Sequence, residues 1–150
     1  MGCSAALAAD IVVAAESASF LLAFARIGLM PDGGATATVA ASIGRARAMR
    51  MALLAEPLTA REAYDAGLVT HLAPDGAFPS LVDTLVRRLA AGPPLALAAS
   101  KKAVNAATLP HLDAALERER HGQTVLLRTS DVAEGMRAFS EKRKPVFGGE

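Results

Sequence analysis

The chain divides into a first part with a few strand-like segments and a second part that is helical in pattern throughout. From Ser80 onward apolar residues recur at helical spacing, as in SLVDTLVRRLAAG (residues 80–92). Strand-like segments are the β-branched DIVVAA (residues 10–15) and the shorter LVTHLA (residues 68–73). A stable sheet needs three or more strands or helical cover. The pattern therefore predicts an α-rich unit whose remaining strands come from a segment outside this sequence.

Local signals set several element boundaries in the first part. ATATVAASIGRARAMRMALLAE (residues 35–56) predicts two short helices broken at Gly44. Thr59 followed by Glu62 has the spacing of a capping box and predicts a helix start. SASFLLAFARIGLM (residues 17–30) predicts a short extended piece.

The segment from Ser130 predicts a final helix. Ser130 is the expected N-cap because a hydroxyl there can accept a hydrogen bond from the first helical turn. Lys142, Arg143 and Lys144 are expected in the last turn, where cations interact favourably with the helix dipole.

Composition and charge exclude several classes of function. Lys plus Arg is 16 and Asp plus Glu is 15, so the net charge of +1 provides no general attraction to nucleic acid or to an acidic membrane surface. Cys3 is the single cysteine, which excludes a disulfide framework and zinc-type cysteine spacing, and we expect no metal. Asp10 and Glu16 interrupt the first apolar run, so it predicts neither a signal peptide nor a membrane span. The cytoplasm is the expected location.

The segment GLMPDGGAT (residues 28–36) places Asp32 between a proline and two glycines. Proline pre-sets one φ angle, aspartate can bond its own backbone, and Gly33 and Gly34 tolerate positive φ, so a turn accounts for all four residues. An acid held in such a turn after an apolar stretch is also suited to move protons. The local sequence leaves both interpretations open.

Four segments in order carry a resemblance to a known family. GCSAALAADIVVAAESASF, IGLMPDGGAT, GRARAMRMALLAEPLTAREAYDAGLV and AFSEKRKPVF together resemble the enoyl-CoA hydratase/isomerase (crotonase) superfamily, across essentially all 150 residues. The resemblance implies an α/β crotonase fold, a ββα spiral, of which this chain is the C-terminal part. Residues 1–79 would belong to the crotonase core and residues 80–150 would form a helical trimerisation region.

The resemblance also implies an oxyanion hole for an acyl-CoA thioester. Reaction through an enolate requires two preorganised N–H donors at the carbonyl oxygen, and loss of one typically costs about 2.7–4 kcal/mol. One donor would lie in the N-terminal half of the family domain. By register the other falls on Met1, with Gly2 next to it, at the start of a helix.

Hydratases of this superfamily hold a water between two glutamates, and both positions differ here. The first would fall at Ser4 and the second at Phe24. Ser4 is either a small residue at a helix start or a group that holds a water, and it is a poor base at neutral pH. Phe24 is expected to line the acyl pocket. The resemblance therefore favours isomerisation over hydration.

Asp32 has a precedent in the isomerase branch. There one carboxylate takes a proton from one carbon and returns it two carbons away, and the phenylacetate-type isomerases carry this acid in a Pro-Asp-x-Gly-Gly type of segment, which MPDGGAT resembles. In this chain Gly33 and Gly34 follow Asp32 directly, one residue earlier than in that pattern. Turn former and general base remain alternatives for Asp32.

The resemblance implies coenzyme A contacts at the C-terminus. Phe139 and Lys142 match the adenine and phosphate contacts of the family, with a helix-end cation as the other interpretation of Lys142. The expected partners are an acyl-CoA thioester and further copies of the chain, as a trimer or dimer of trimers. No cofactor is expected, because coenzyme A is part of the substrate. A non-catalytic acyl-CoA-binding or oligomer-forming remnant is the alternative.

Overall fold

The computed structural model describes residues 2–150, in which short strands are interleaved with helices. The helices are α1 (Gly2–Leu7), α2 (Ala35–Leu54), α3 (Ala60–Asp65), α4 (Phe78–Ala90), α5 (Pro94–Thr108), α6 (Leu112–Leu126) and α7 (Ser130–Ser140). The strands are β1 (Val13–Ala15), β2 (Ser19–Phe20), β3 (Leu58–Thr59) and β4 (His71–Ala73), with 3₁₀ helices at Ala23–Ile27 and Asp75–Ala77. None of the described helices is long and apolar enough to cross a membrane.

The strands pair across long separations in sequence. β1 and β4 are parallel, with Ala14 opposite Leu72. β2 and β3 are antiparallel, with Phe20 opposite Leu58. Within residues 2–150 these are two two-stranded sheets. The strand-like segments 10–15 and 68–73 are therefore each other's partners, and α3 and α4 cover their sheet.

The hydrophobic core lies between these small sheets and α2. Its members are buried aliphatic and small side chains with one phenylalanine: Leu7, Ala14, Phe20, Leu22, Ala35, Val39, Ile43, Met51, Leu58, Ala60, Ala63, Leu68 and Val69. The break predicted at Gly44 is confirmed, since Gly44 has φ 77° and ψ 160° and interrupts α2. The predicted capping box is also confirmed, because the Thr59 hydroxyl accepts from the Glu62 N–H while the Glu62 carboxylate accepts from the Thr59 N–H.

Three local predictions are wrong. Residues 17–30 form β2 and then a 3₁₀ helix, not one extended piece. The N-cap of α7 is Thr129, whose hydroxyl accepts from the Val132 N–H, while the Ser130 hydroxyl donates to the Glu150 carbonyl. Lys142, Arg143 and Lys144 all lie beyond the end of α7, and Lys142 has φ 54°, so none of the three is in the last helical turn.

The helices after residue 80 differ in how they meet the first part of the chain. α6 packs on α2, and α7 packs on the 3₁₀ helix Ala23–Ile27. α5 contains no buried residue. The Asp32 loop, between that 3₁₀ helix and α2, thus lies where α6 and α7 meet the first part of the chain.

Candidate active site

Asp32 lies in a tight turn that leads into α2. The Asp32 carbonyl accepts a hydrogen bond from the Ala35 N–H at 3.3 Å. Gly33 and Gly34 have φ 66° and 81°, a region that side chains with a Cβ rarely adopt. The turn interpretation of this segment is confirmed. The turn also fixes the position of the Asp32 backbone, from which the side chain extends. A role as turn former is therefore compatible with a role as general base.

Helix α6 holds the end of this turn through Glu119. The Glu119 carboxylate accepts from the Gly34 N–H at 2.7 Å, from the Thr36 N–H at 2.9 Å and from the Thr36 hydroxyl at 2.5 Å. Glu119 is 2% exposed. These N–H groups belong to the first turn of α2, which lacks helical acceptors for them.

Gln123, one helical turn further along α6, holds the beginning of the turn. Its Nε2 donates to the Asp32 Oδ2 at 2.8 Å and to the Met30 carbonyl at 3.0 Å. Gly122, beside it, allows Met30 to approach, because a Cβ there would overlap the Met30 sulfur. Residues 30–36 are therefore held at both ends by one face of one helix.

The two oxygens of the Asp32 carboxylate have different surroundings. Oδ2 is bonded to Gln123, whereas Oδ1 is buried and has no hydrogen-bond partner among residues 2–150. A buried polar atom without a partner is uncommon in a folded protein and calls for a reason such as a catalytic role. Oδ1 is therefore the Asp32 oxygen whose burial the fold of residues 2–150 does not explain.

Ser4 lies beside this loop. It is buried in α1, and its hydroxyl also has no partner among the described residues. A Cβ built on Gly33 would lie 3.2 Å from the Ser4 Cβ, which shows how closely α1 and the Asp32 turn approach. The structure thus brings together two of the predicted site residues, Ser4 and Asp32.

The predicted oxyanion hole falls at the N-terminus of α1. Met1 lies outside the described residues. Gly2 is the first residue of α1 and is exposed. Its N–H as a donor to the thioester oxygen stays a prediction.

The remaining predicted contacts lie on the 3₁₀ helix Ala23–Ile27 and at the end of α7. Phe24 is half-buried in the 3₁₀ helix and packs against the core. Phe139 is 79% exposed on α7, and Lys142 is exposed just after it. Among residues 2–150 no hydrogen bond or ion pair joins Asp32 to Phe139 or Lys142, and the role of these two residues with coenzyme A stays a prediction.

An apolar groove lies next to the Asp32 turn. It has a volume of about 270 Å³ and runs from Pro31 along α2, with Val39 and Met49 in its wall and Arg45 beside them. Pro31, the residue before Asp32, lines the groove, whereas Asp32 itself does not. Its lining suits a hydrocarbon chain better than a polar one.

Cys3 is not a reactive group of this site. Burial raises the pKa of its thiol, and a hydrogen bond from the Leu21 backbone partly opposes this effect. The thiolate, which is the nucleophilic form, is therefore disfavoured at neutral pH.

Sequence reasoning missed Glu119 and Gln123. Both lie in a charged stretch, ERERHGQ (residues 117–123), that has the pattern of a solvated helix face. A signal was present, since Ala115, Glu119, Gly122 and Gln123 share one helical stripe with Leu112 and Leu126. A glutamate and a glutamine on the buried stripe of an amphipathic helix indicate polar partners inside the fold.

Comparison with known proteins identifies the family. The family model for enoyl-CoA hydratase/isomerase matches residues 1–150. A probable enoyl-CoA hydratase of Rhodobacter capsulatus is 47% identical over 148 residues, which are 99% of this chain and 58% of that protein. The 1,2-epoxyphenylacetyl-CoA isomerase of Escherichia coli is 40% identical over 149 residues, 99% of this chain and 57% of the relative.

Solved structures agree with the sequence comparison. An enoyl-CoA hydratase from Mycobacterium avium subsp. paratuberculosis superposes with a TM-score of 0.96 at 55% identity, and the match covers 98% of this chain and 60% of the other. The chain therefore spans somewhat more than half the length of the relatives it matches. The resemblance inferred from four sequence segments is confirmed: the chain has the crotonase fold and belongs to the enoyl-CoA hydratase/isomerase family.

Proposed function

We propose that the protein carrying these 150 residues shifts a carbon–carbon double bond in an acyl-CoA thioester, with Asp32 as the single acid–base group. The observation that carries the proposal is the Asp32 carboxylate, of which one oxygen is fixed by Gln123 and the other is buried and unpartnered within residues 2–150. Ser4 and Phe24 stand at the two positions where the family's hydratases have glutamates. Asp32 is the remaining acid with a family precedent.

The reaction follows from one carboxylate and one stabilised oxygen. The Asp32 carboxylate takes a proton from a carbon next to the double bond, and the electron pair moves towards the thioester carbonyl to give an enolate. N–H donors stabilise the oxygen, and Met1, with Gly2 next to it, is our candidate for one of them. The protonated Asp32 then returns the proton two carbons away. The product is an isomer, so no co-reactant is consumed.

Substrate binding is assigned to the surfaces around this carboxylate. The apolar groove along α2 would take the acyl chain. Phe24 does not line this groove, and its contact with the acyl chain is proposed from the family resemblance alone. Phe139 and Lys142 would contact the coenzyme A moiety, either of the same copy or of a neighbouring one, as the family resemblance implies. Coenzyme A enters as part of the substrate, so we propose no separate cofactor.

We further propose that residues 1–79 contribute to the crotonase core and residues 80–150 to oligomerisation. The exposed α5 supports this division, because a helix without buried residues needs another surface to cover its apolar side chains. A trimer or dimer of trimers in the cytoplasm is the assembly we infer.

The test is an isomerase assay on the full gene product that contains these residues. Conversion of a 3-enoyl-CoA to the 2-enoyl-CoA is expected, and Asp32→Asn should lower kcat by about 10²–10⁴, the range for loss of a general base. Asp65→Asn, at an exposed position on α3, serves as the control and should keep full activity. Full activity of Asp32→Asn would show that another group moves the proton.

The alternative is a protein that binds acyl-CoA without converting it. Ser4 and Phe24 at the two glutamate positions favour it. Equilibrium binding of an acyl-CoA with neither isomerisation nor hydration of a 2-enoyl-CoA would support this alternative. Hydration that survives Asp32→Asn would instead indicate a hydratase, as the Rhodobacter capsulatus relative is named.

A further inference from the structure

We propose that Gln123 is a positioning residue that determines which oxygen of Asp32 carries the proton. The inference rests on the proposed function of Asp32 and extends it to a residue 91 positions away in the sequence. The hydrogen bonds of the Gln123 side chain go to Asp32 and to the Met30 carbonyl. It acts through the Asp32 carboxylate.

Chemistry fixes the orientation of the Gln123 amide. Two acceptors, the Met30 carbonyl at 3.0 Å and the Asp32 Oδ2 at 2.8 Å, face the same end of the side chain. Only the NH₂ group has two donors, so the opposite orientation would place the amide oxygen against two other oxygens. The amide oxygen therefore points away from Asp32, and it has no partner among residues 2–150.

The bond from Gln123 prevents exchange of the two Asp32 oxygens. A free carboxylate rotates about its last single bond, so that either oxygen can face a given proton. With Oδ2 held by an amide whose own position is fixed by the Met30 carbonyl, Oδ1 is the oxygen that stays free. A single oriented oxygen is what transfer of one proton between two carbons requires, because small misplacements of a catalytic group are costly.

The backbone that carries Gln123 is itself held in place. Glu119, one turn earlier on α6, accepts hydrogen bonds from the Gly34 and Thr36 N–H groups at the start of α2. The close approach of Met30 to Gly122 adds a packing contact between the two hydrogen-bonding residues. The position of the Gln123 donor is thus fixed by the contacts that α6 makes with residues 30–36.

The experiment compares two substitutions of Gln123 in the full gene product. Gln123→Leu keeps the approximate size and removes the donor, and it should lower kcat about 10- to 100-fold while KM changes less than about threefold, since orientation matters for proton transfer and not for binding. Thr124→Ala is the matched control on the same helix, because its exposed hydroxyl bonds only to the Arg120 carbonyl of its own turn. This control should keep kcat and KM.

The second substitution, Gln123→Glu, is tested by the pH profile of kcat/KM. A purely structural role of Gln123 would leave this pH profile unchanged. It places a carboxylate next to Asp32, and a like charge disfavours the ionised form of its neighbour. The acid limb of the pH profile of kcat/KM should therefore move by about one unit or more towards higher pH. Cooperative thermal unfolding of both variants checks that they are folded.

The results distinguish failure of this inference from failure of the proposed function. If Asp32→Asn abolishes activity and Gln123→Glu leaves the acid limb in place, Gln123 does not position Asp32 although Asp32 is the base. The positioning role is equally excluded if Gln123→Leu raises KM and leaves kcat unchanged. If Asp32→Asn retains activity, both ideas fail together. In the Asp32→Asn background, Gln123→Leu should add no further loss of kcat.

Discussion

Glu119 is a charged side chain in the interior, and its environment explains why it is tolerated there. Burying a carboxylate without partners is very costly, whereas three short hydrogen bonds to Gly34 and Thr36 compensate the charge. The carboxylate also lies at the N-terminus of α2, where the helix dipole favours a negative charge. Gly34, the N-cap, has no side chain to accept these bonds. Glu119 therefore caps α2 from another helix.

Glu119→Gln should lower the free energy of unfolding by about 1–3 kcal/mol, because an NH₂ group would replace one acceptor and leave a buried N–H without a partner. Chemical denaturation monitored by circular dichroism measures the change. Glu117→Gln is the control, since Glu117 is exposed and pairs with Arg120 on the surface of the same helix. That substitution should leave the midpoint of unfolding nearly unchanged, because an exposed ion pair contributes little to stability. Equal effects of the two would contradict the capping role.

Glu134 joins α7 to the C-terminal segment and makes the stability of this attachment depend on pH. The hydrogen bond from Arg143, with that from the Val146 N–H, lowers the pKa of Glu134 to about 2 from its usual 4.5. Because the pKa is lower in the folded state, the stabilisation is present above about pH 4.5 and is lost as pH falls towards about 2.

We therefore expect the Val146 amide to exchange with solvent increasingly fast as pH falls from about 4.5 to about 2, beyond the intrinsic pH effect, as measured by NMR hydrogen exchange. In Glu134→Gln this extra dependence should be absent, since the side chain no longer titrates. An unchanged protection profile across that pH range would rule out the link between Glu134 and the segment.

At the scale of elements, α7 meets the 3₁₀ helix Ala23–Ile27 through a glycine. A Cβ on Gly135 would lie 2.6 Å from the Ile27 Cα and 2.7 Å from its carbonyl carbon. Both atoms are backbone, so they cannot swing aside as the end of a side chain can. This contact sets how closely α7 approaches the helix that carries Phe24 and leads into the Asp32 turn.

Gly135→Ala should therefore destabilise the fold by about 1–3 kcal/mol, despite the roughly 1 kcal/mol that alanine gains over glycine in a helix. The midpoint of urea unfolding measures this loss of stability. Gly76→Ala is the matched control, because no atom lies within 4 Å of a Cβ built there. A stabilised Gly135→Ala variant would mean that α7 can shift without cost.

The sequence allowed prediction of the elements whose signals are local. It did not allow prediction of the elements that depend on contacts with distant parts of the chain. The Gly44 break and the Thr59–Glu62 capping box depend on a few adjacent residues, and both are confirmed. In contrast, residues 17–30 contain a 3₁₀ helix that is packed by α7, a helix from the far end of the chain. Thr129 replaced Ser130 as the cap because either hydroxyl suits the position and the Ser130 hydroxyl is bonded to the Glu150 carbonyl.

At the scale of the whole molecule, the apolar face of α4 exceeds what the chain covers. Leu81 and Leu85 are half-buried towards the sheet of β1 and β4, while Val86 and Leu89 are 57% and 46% exposed. Together with the uncovered α5, this surface supports the proposed oligomer of identical chains.

The double variant Val86→Glu with Leu89→Glu should form a smaller assembly, because buried glutamates at a contact between copies would lose hydration without gaining partners. Light scattering after size-exclusion chromatography gives the mass. Thr84→Glu, on the opposite side of α4, should leave the mass unchanged. An unaltered mass for the double variant would place the contact between copies elsewhere.

In the candidate site, too, local structure could be predicted from the sequence, whereas contacts between distant residues could not. The turn at Asp32 could be predicted, since proline, aspartate and glycine encode it locally. The partners of the turn could not, because the Gly34–Glu119 and Asp32–Gln123 hydrogen bonds span 85 and 91 residues. Helical periodicity shows that both side chains are on the inner stripe of α6, but not which loop they meet.

These long separations also have a consequence for biosynthesis. A ribosome adds about 5–20 residues per second, so Gln123 is made on the order of ten seconds after Asp32. Until then the Gly34 and Thr36 N–H groups and the Asp32 Oδ2 lack the hydrogen bonds that α6 provides. A nascent chain arrested before α6 would carry Asp32 without the residues that hold its turn, so the arrangement on which the proposed proton transfer depends forms only once the last third of this sequence has been made.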